Sequence, residues 1–166
     1  SASAVAMDKT LTKLVADNAG ITQAKWQLVR NSDLNNRIEQ IVDQLETRFS
    51  YPMFVKPAGT GSSVGVSKAG DRAALMDALL SAGVYDDKIL VEEFIHGKEI
   101  EVAVMGNDSP VVSICGEIDS GTEFYDYEAK YITDTSVAYI PAQIPEDVAE
   151  QVRDQAVRIY SAIGCQ

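Results

Sequence analysis

The stretch Val55-Lys56-Pro57-Ala58-Gly59-Thr60-Gly61-Ser62-Ser63-Val64-Gly65-Val66 decides how the rest of the chain is read. Behind Pro52, the apolar run Met53-Phe54-Val55 predicts a short strand. Ala58 to Ser63 then reads as a loop, and Val64-Gly65-Val66-Ser67 as a returning strand, so the whole is a hairpin. Glycines let a backbone approach an anion closely, and successive N–H groups form a concave nest for phosphate oxygens. The hydroxyls of Ser62 and Ser63 add donors, and Lys56 brings a point charge to the end of the first strand. The stretch is not a Walker A loop, because GxxxxGK is absent and a strand follows where a helix is required; it is not GxGxxG either. A loop between antiparallel strands lies over phosphates as a flap, as in protein kinases. A glycine-rich hairpin with no ligand is the competing reading.

Working outward, Leu11, Leu14 and Val15 share one face of a helix from Asp8 to Ala19, which Gly20 stops. Leu34, Ile38, Ile41, Val42, Leu45 and Phe49 recur at helical spacing, with Ser32 or Asp33 as cap. Trp26, between these helices, reads as core or rim. After the loop, a helix is predicted over about Asp71 to Ala82, with Leu75, Met76, Leu79 and Leu80 inward. Ile89 to Phe94 and Glu99 to Val104 read as strands joined by the turn His96-Gly97-Lys98, and Val111 to Ile118 as another. Gly121 to Thr135 is polar and aromatic without a period, hence a long loop. Pro145, Glu146 and Asp147 open a last helix, Glu146 to Ile163, with Val148, Val152, Ala156, Ile159 and Ile163 inward. Helices on largely antiparallel strands predict an α+β fold. The last helix has little sequence left to pack against, so the reading is of a fragment of a longer protein.

The 166 residues carry 14 Lys+Arg against 25 Asp+Glu, a net charge of −11. That balance argues against nucleic-acid binding and against a basic membrane-surface role. Hydrophobic residues make up 46% and charged residues 23%, the balance of a globular chain. No apolar run approaches the ~20 residues of a membrane span. The opening SASAVAMDK has neither a basic segment nor a sustained apolar one, so a secretory leader is not expected. Cys115 and Cys165 are too few for a disulfide framework, which favours a reducing cytoplasm. With His96 the only histidine, a His/Cys zinc site is not expected.

Two further stretches can carry chemistry. Val91-Glu92-Glu93-Phe94-Ile95 is followed by Glu99-Ile100-Glu101-Val102, where alternation puts Glu99 and Glu101 on one side. A carboxylate there can accept both hydrogen bonds of a ribose diol; a solvated strand face is the alternative. In Phe124-Tyr125-Asp126-Tyr127-Glu128-Ala129-Lys130-Tyr131, four aromatics require burial against a partner or ligand. Lys130 can neutralise a phosphate and Tyr131 can orient a nucleophile; a packed loop with a surface lysine is the alternative. His96 reads as a solvated turn residue, Cys115 as packing, and Asp86-Asp87 as a turn and not a metal pair.

Taken together, these motifs resemble the D-alanine–D-alanine ligases, a family of ATP-grasp enzymes. The resemblance runs collinearly through Met7-Asp8-Lys9, Val55 to Val66, Val91 to Val104, Gly116-Glu117, Phe124 to Tyr131 and Ile140-Pro141-Ala142. It implies an ATP-grasp fold of two α+β subdomains, incomplete here, with residues 1–100 as the lid subdomain and 101–166 as the start of the larger one. It implies ATP held between them, with the flap and Lys9, Lys56, Ser62 and Ser63 toward the phosphates. Glu92, Glu93 and Ile95 match the strand bordering adenine, Glu99 the ribose carboxylate, and Phe124 an aromatic beside adenine. Lys130 and Tyr131 match the ω-loop, with Tyr131 paired to Ser62 near the second substrate, so that Ser62, Lys130 and Tyr131 are the catalytic candidates. Glu93 departs from the lysine many relatives carry. The implied reaction joins two D-alanines through an acyl phosphate for peptidoglycan synthesis, with Mg2+ ligands outside this chain, in a cytoplasmic homodimer. The fragment alone is expected to bind nucleotide at most. Another ATP-grasp carboxylate–amine ligase and a non-catalytic nucleotide-binding module are the alternatives.

Overall fold

The computed structural model describes residues 1–119 and 137–166. In chain order its elements are α1 (Ala2–Met7), α2 (Lys9–Asn18), β1 (Trp26–Arg30), α3 (Asn31–Arg48), β2 (Met53–Pro57), β3 (Ser67–Ala69), α4 (Arg72–Gly83), β4 (Lys88–Glu93), β5 (Glu99–Glu101), β6 (Val104–Met105), β7 (Val111–Val112), β8 (Gly116–Asp119), β9 (Val137–Tyr139) and α5 (Glu146–Ala162). They divide into two compact units. The first comprises Met7–Thr12 and Gln23–Ile95; the second comprises Ser1–Ala6, Lys13–Thr22 and His96–Gln166. The division falls between Ile95 and His96, with Glu99 already paired to Ile118 in the second unit, whereas the sequence reading drew its line at residue 100.

The first unit is a four-stranded antiparallel sheet, ordered β1-β4-β2-β3, with α3 and α4 on one face. Strand periodicity separates the faces. Met53 and Val55 of β2 and Ile89 and Val91 of β4 join Leu34, Val42 and Leu45 of α3 and Leu75 and Leu79 of α4 in one apolar core. The opposite face receives the alternate residues Trp26 and Leu28, Phe54 and Lys56, and Lys88, Leu90 and Glu92, as the register dictates. Helix α4 starts where Asp71 accepts the Ala74 N–H at 2.9 Å, which satisfies one of the first-turn amides left without a helical partner.

Several expectations need correction here. Trp26, read only as core or rim, opens an edge strand, β1, that was not expected. A helix, α1, precedes the first one expected, and Asp8 caps α2 by accepting the Thr10 and Leu11 N–H groups. Neither Ser32 nor Asp33 caps α3: the helix begins at Asn31 directly after β1, and Arg30 sits at the cap without a side-chain bond. Leu80 is 53% exposed, because the buried stripe of α4 is Leu75, Ala78, Leu79 and Ala82. The returning strand of the glycine hairpin starts at Ser67, three residues later than expected, because Val64 and Val66 are turned in on Gly61 and Ser63 by backbone hydrogen bonds.

In the second unit the strands are short. β8 pairs with β5 on one side and β9 on the other, and β6 pairs with β7. The expected single strands Glu99 to Val104 and Val111 to Ile118 are each broken in two, and β9 was not foreseen. Helix α5 buries no residue fully, and Val148, expected inward, is 39% exposed. Cys115 is packed as expected, 4% exposed, with its thiol toward the Ala149 carbonyl at 3.7 Å. A polar latch adds to this. Glu117 accepts the Gln143 N–H at 2.9 Å and meets the Lys98 ammonium at 2.8 Å. Lys98 in turn donates to the Gln143 carbonyl at 2.8 Å. The Lys98 hydrogen bond, helped by that of Gln143, holds the Glu117 carboxyl below the ordinary carboxylate value.

Candidate functional site

The site in the first unit starts from strand alternation. Because Met53, Val55 and Pro57 point into the core, Phe54 and Lys56 must point to the open face of the sheet. On β4 the same alternation turns Lys88, Leu90 and Glu92 toward that face. Glu92 is 6% exposed, and its carboxylate meets the Lys56 ammonium at 2.5 Å. Lys56 also lies 5.2 Å from the centre of the Phe54 ring, within cation–π range. Lys88 pairs with Asp8.

Lys9, at the start of α2, reaches the root of the glycine loop. Its ammonium donates to the carbonyls of Pro57 at 2.9 Å, Ala58 at 3.4 Å and Thr60 at 2.5 Å, and its own N–H bonds the Ala58 carbonyl at 3.0 Å. Burial, reinforced by the nearby Lys56 charge, lowers the Lys9 pKa from 10.5, while Glu92 and Asp86 pull the other way. Cations and carboxylates are therefore interleaved at the loop root, in a partly buried setting where charges act more strongly than in water.

The loop itself turns through Ser62 and Ser63, both left-handed at φ 50° and 57°. Non-glycine residues are uncommon there, and such outliers cluster at ligand clamps. Thr60 closes the turn by donating its hydroxyl to the Val64 carbonyl at 2.9 Å. Not every amide of the loop is turned outward: the Gly59 N–H is donated to Asp86 at 2.7 Å.

Of the residues singled out in the sequence, Lys9, Lys56 and Glu92 are brought together with the loop bearing Ser62 and Ser63. Glu93 points elsewhere: its carboxylate accepts the Lys25 N–H at 2.8 Å and faces the Lys25 ammonium at 3.7 Å. Ile95 is 62% exposed at the end of the first unit. Glu99 is an exposed β5 residue of the second unit, on the opposite side of the strand from Ile100. Phe124, Lys130 and Tyr131 lie outside the described residues. Asp86 was missed: the sequence showed only a turn, and the one available signal was a carboxylate just before a strand that neighbours the loop. Among the described residues, no three His, Cys, Asp or Glu side chains stand together as a metal site.

A glycine hairpin rooted on lysines, beside a strand that presents a buried carboxylate on the same sheet face, makes this an α+β domain with an anion-receptive loop at one sheet end. Comparison with known proteins narrows the class. A family model described as "D-ala D-ala ligase C-terminus" matches residues 15–166. The D-alanine–D-alanine ligase of Acetivibrio thermocellus is 52% identical over 164 residues, covering 99% of this chain and 44% of that protein. Its namesake from Pelodictyon phaeoclathratiforme is 48% identical over 165 residues, covering 99% of this chain and 46% of that protein. Among solved structures, a D-Ala:D-Ser ligase from Enterococcus faecalis superposes with a TM-score of 0.85 at 33% identity, covering 99% of this chain and 47% of that one. The D-alanine-D-alanine ligase from Coxiella burnetii superposes with a TM-score of 0.79 at 28% identity, covering 98% of this chain and 41% of that one. The chain belongs to the D-alanine–D-alanine ligase family, and its α+β fold is the ATP-grasp fold of that family, present in part. It spans less than half the length of the relatives it matches. No helix among the described residues is long and apolar enough to cross a membrane.

Proposed function

We propose that this chain is the nucleotide-binding part of an enzyme that joins two D-alanines at the expense of ATP, supplying dipeptide for the peptidoglycan precursor in the cytoplasm. The observation that carries the reading is the rooting of the glycine loop: Lys9 and Lys56 bring two cations to its base, one on loop carbonyls and one on Glu92. Without a polyanion the two charges are balanced internally. A triphosphate would compete with Glu92 for Lys56, and the amides and hydroxyls of the Ser62–Ser63 turn offer further donors. Mg2+, when bound, would neutralise phosphate charge; its ligands are assigned to residues beyond this chain.

In this reading the carboxylate of one D-alanine attacks the terminal phosphorus of ATP, releasing ADP and forming an acyl phosphate; the amine of the second D-alanine then attacks the acyl carbon and displaces inorganic phosphate, leaving the dipeptide. Lys9, Lys56 and Lys130 offset the charge developing on the transferred group. Phe124 and Ile95 flank the base, and Glu99 accepts the ribose hydroxyls. Ser62 and Tyr131 orient the amine acceptor, and the acyl phosphate must be kept from water until the amine arrives. The unit of Met7–Thr12 and Gln23–Ile95 acts as the lid and the other belongs to the larger subdomain, in a homodimer when intact. The identities of 46–52% to ligases named for D-alanine, against 33% to the D-Ala:D-Ser ligase, support D-alanine as the acceptor.

Incubating the complete gene product with ATP and D-alanine should release phosphate and D-alanyl-D-alanine in equal amounts. No dipeptide, or faster ligation of a different acceptor, overturns the reading. Lys130→Ala should cut turnover by at least about 100-fold, the usual loss for a residue that stabilises transferring charge, with little change in thermal stability. Equal losses in both would return the loop to a packing role.

A further inference from the structure

Two neighbouring residues in the turn between α4 and β4 touch the two ends of the glycine loop. At the near end, Asp86 accepts the Gly59 N–H at 2.7 Å with one carboxylate oxygen and the Lys88 N–H at 3.0 Å with the other. The approach is close enough that a Cβ on Gly59 would lie 3.1 Å from that oxygen. At the far end, Gly65 has φ +72°, and a Cβ there would lie 2.7 Å from the Tyr85 ring and 2.8 Å from Pro57. The ring of Tyr85 is thus seated against Gly65, although the residue as a whole is 53% exposed. The turn is itself fixed, because the Tyr85 and Asp86 N–H groups bond the Ala82 carbonyl at 3.0 and 3.2 Å. At Gly59 and Gly65 alike, a missing side chain leaves room for a group of the same dipeptide, and at Gly65 the left-handed φ is a further reason for glycine.

We propose that Tyr85-Asp86 is a positioning element that clamps both ends of the loop, setting the height of the Gly61–Ser63 turn above the open face of the sheet. Asp86 does this by turning the Gly59 amide inward, next to the Ala58 amide already held by the Lys88 carbonyl, so that the outward donors begin beyond Gly59. The carboxylate also lies close enough to Lys9 to favour its charged form, and Lys9 holds the carbonyls on either side of Gly59. The proposal rests on the nucleotide reading only for its functional consequence; the clamp itself is a property of the chain without nucleotide.

Hydrogen–deuterium exchange on this chain, without nucleotide, tests the clamp. Removing a charged acceptor from an amide should speed exchange of the 58–66 segment by about tenfold or more in Asp86→Ala, with β2 and α3 unchanged. Tyr85→Ala should speed the same segment and Tyr85→Phe, which keeps the ring, should restore it. Asp86→Asn, which retains one acceptor oxygen, serves if Asp86→Ala does not fold and should give an intermediate rate. Asp87→Ala is the control, since that carboxylate faces Arg30 at 3.0 Å. Unchanged exchange in the Asp86 and Tyr85 variants, or equal acceleration in Asp87→Ala, overturns the clamp. Affinity for a non-hydrolysable ATP analogue is then read on the complete gene product. A fall of about tenfold in Asp86→Ala is expected, the same equilibrium read through binding. Faster exchange with unchanged affinity overturns the positioning role, whereas no analogue binding in the unsubstituted protein overturns the nucleotide reading and leaves the exchange result to stand.

Discussion

The two units are held together by different means. The first hides a continuous apolar core between one sheet face and two helices, with Val42, Leu45, Met53, Val55, Leu75, Leu79, Ile89 and Val91 wholly enclosed. In the second, strands run two to four residues and α5 encloses nothing completely. Its order comes from Cys115, the Glu117–Lys98–Gln143 latch and contacts such as Tyr160 to the Gly106 carbonyl at 2.8 Å. The difference teaches where precision is needed. In the reading proposed above, the loop that would hold a charged ligand is rooted on the unit with the close-packed core, whose low compressibility keeps the root in place.

The comparison can be broken most directly by truncation. Leu79→Ala, at a wholly enclosed site of the first unit, should cost about 3 kcal/mol, whereas Ile159→Ala on half-buried α5 should cost about 1 kcal/mol. Urea denaturation followed by peptide-resolved exchange reads each unit separately; similar costs would mean that both are packed alike. Next come two left-handed glycines. Gly65→Ala meets both strain and the Tyr85 ring and should cost about 2 kcal/mol, while Gly164→Ala in the second unit, at φ +73° in open space, should cost about 1 kcal/mol.

Smaller effects appear in pH dependence. The Glu117 carboxyl is held below its ordinary value of 4.5, so its contribution is present above that value and is lost as pH falls beneath it. Glu117→Gln should flatten the acid limb of second-unit stability; an unchanged limb would remove the latch from the account. In the first unit, burial and the hydrogen bond to Glu46 raise the Tyr51 hydroxyl to about 12. Its contribution is present below pH 10 and fades as pH climbs toward 12, a step that absorbance titration should show and Tyr51→Phe should abolish.

Much of the first unit was legible in the sequence because its signals are local. The period of Leu34 to Phe49, the apolar spacing from Leu75 to Leu79 and the glycine run each specify their own element. Trp26–Arg30 was missed because a five-residue edge strand that leads straight into a helix leaves neither a turn signal nor room for a capping side chain. Val64 to Val66 looked extended by composition, but a turn with two left-handed serines ahead of it consumed those residues. In the second unit, local alternation ran through Glu99 to Val104, yet the ladder breaks after Glu101, where the partner strand changes from β8 to β7. Asp86 lay beyond reach for another reason: its meaning depends on an amide 27 positions earlier. Grouping Lys9, Lys56 and Glu92 came from the family pattern; strand register supplies the physical cause.

Cys115 has a consequence for experiment. Its sulfur is sealed beneath α5, whereas Cys165 stands half open near the chain end, and neither is tied up in a disulfide. An alkylating reagent would therefore mark Cys165 at once and reach Cys115 only when the helix lifts. The second modification thus keeps time for breathing of the less compact half, without any label having to be engineered in.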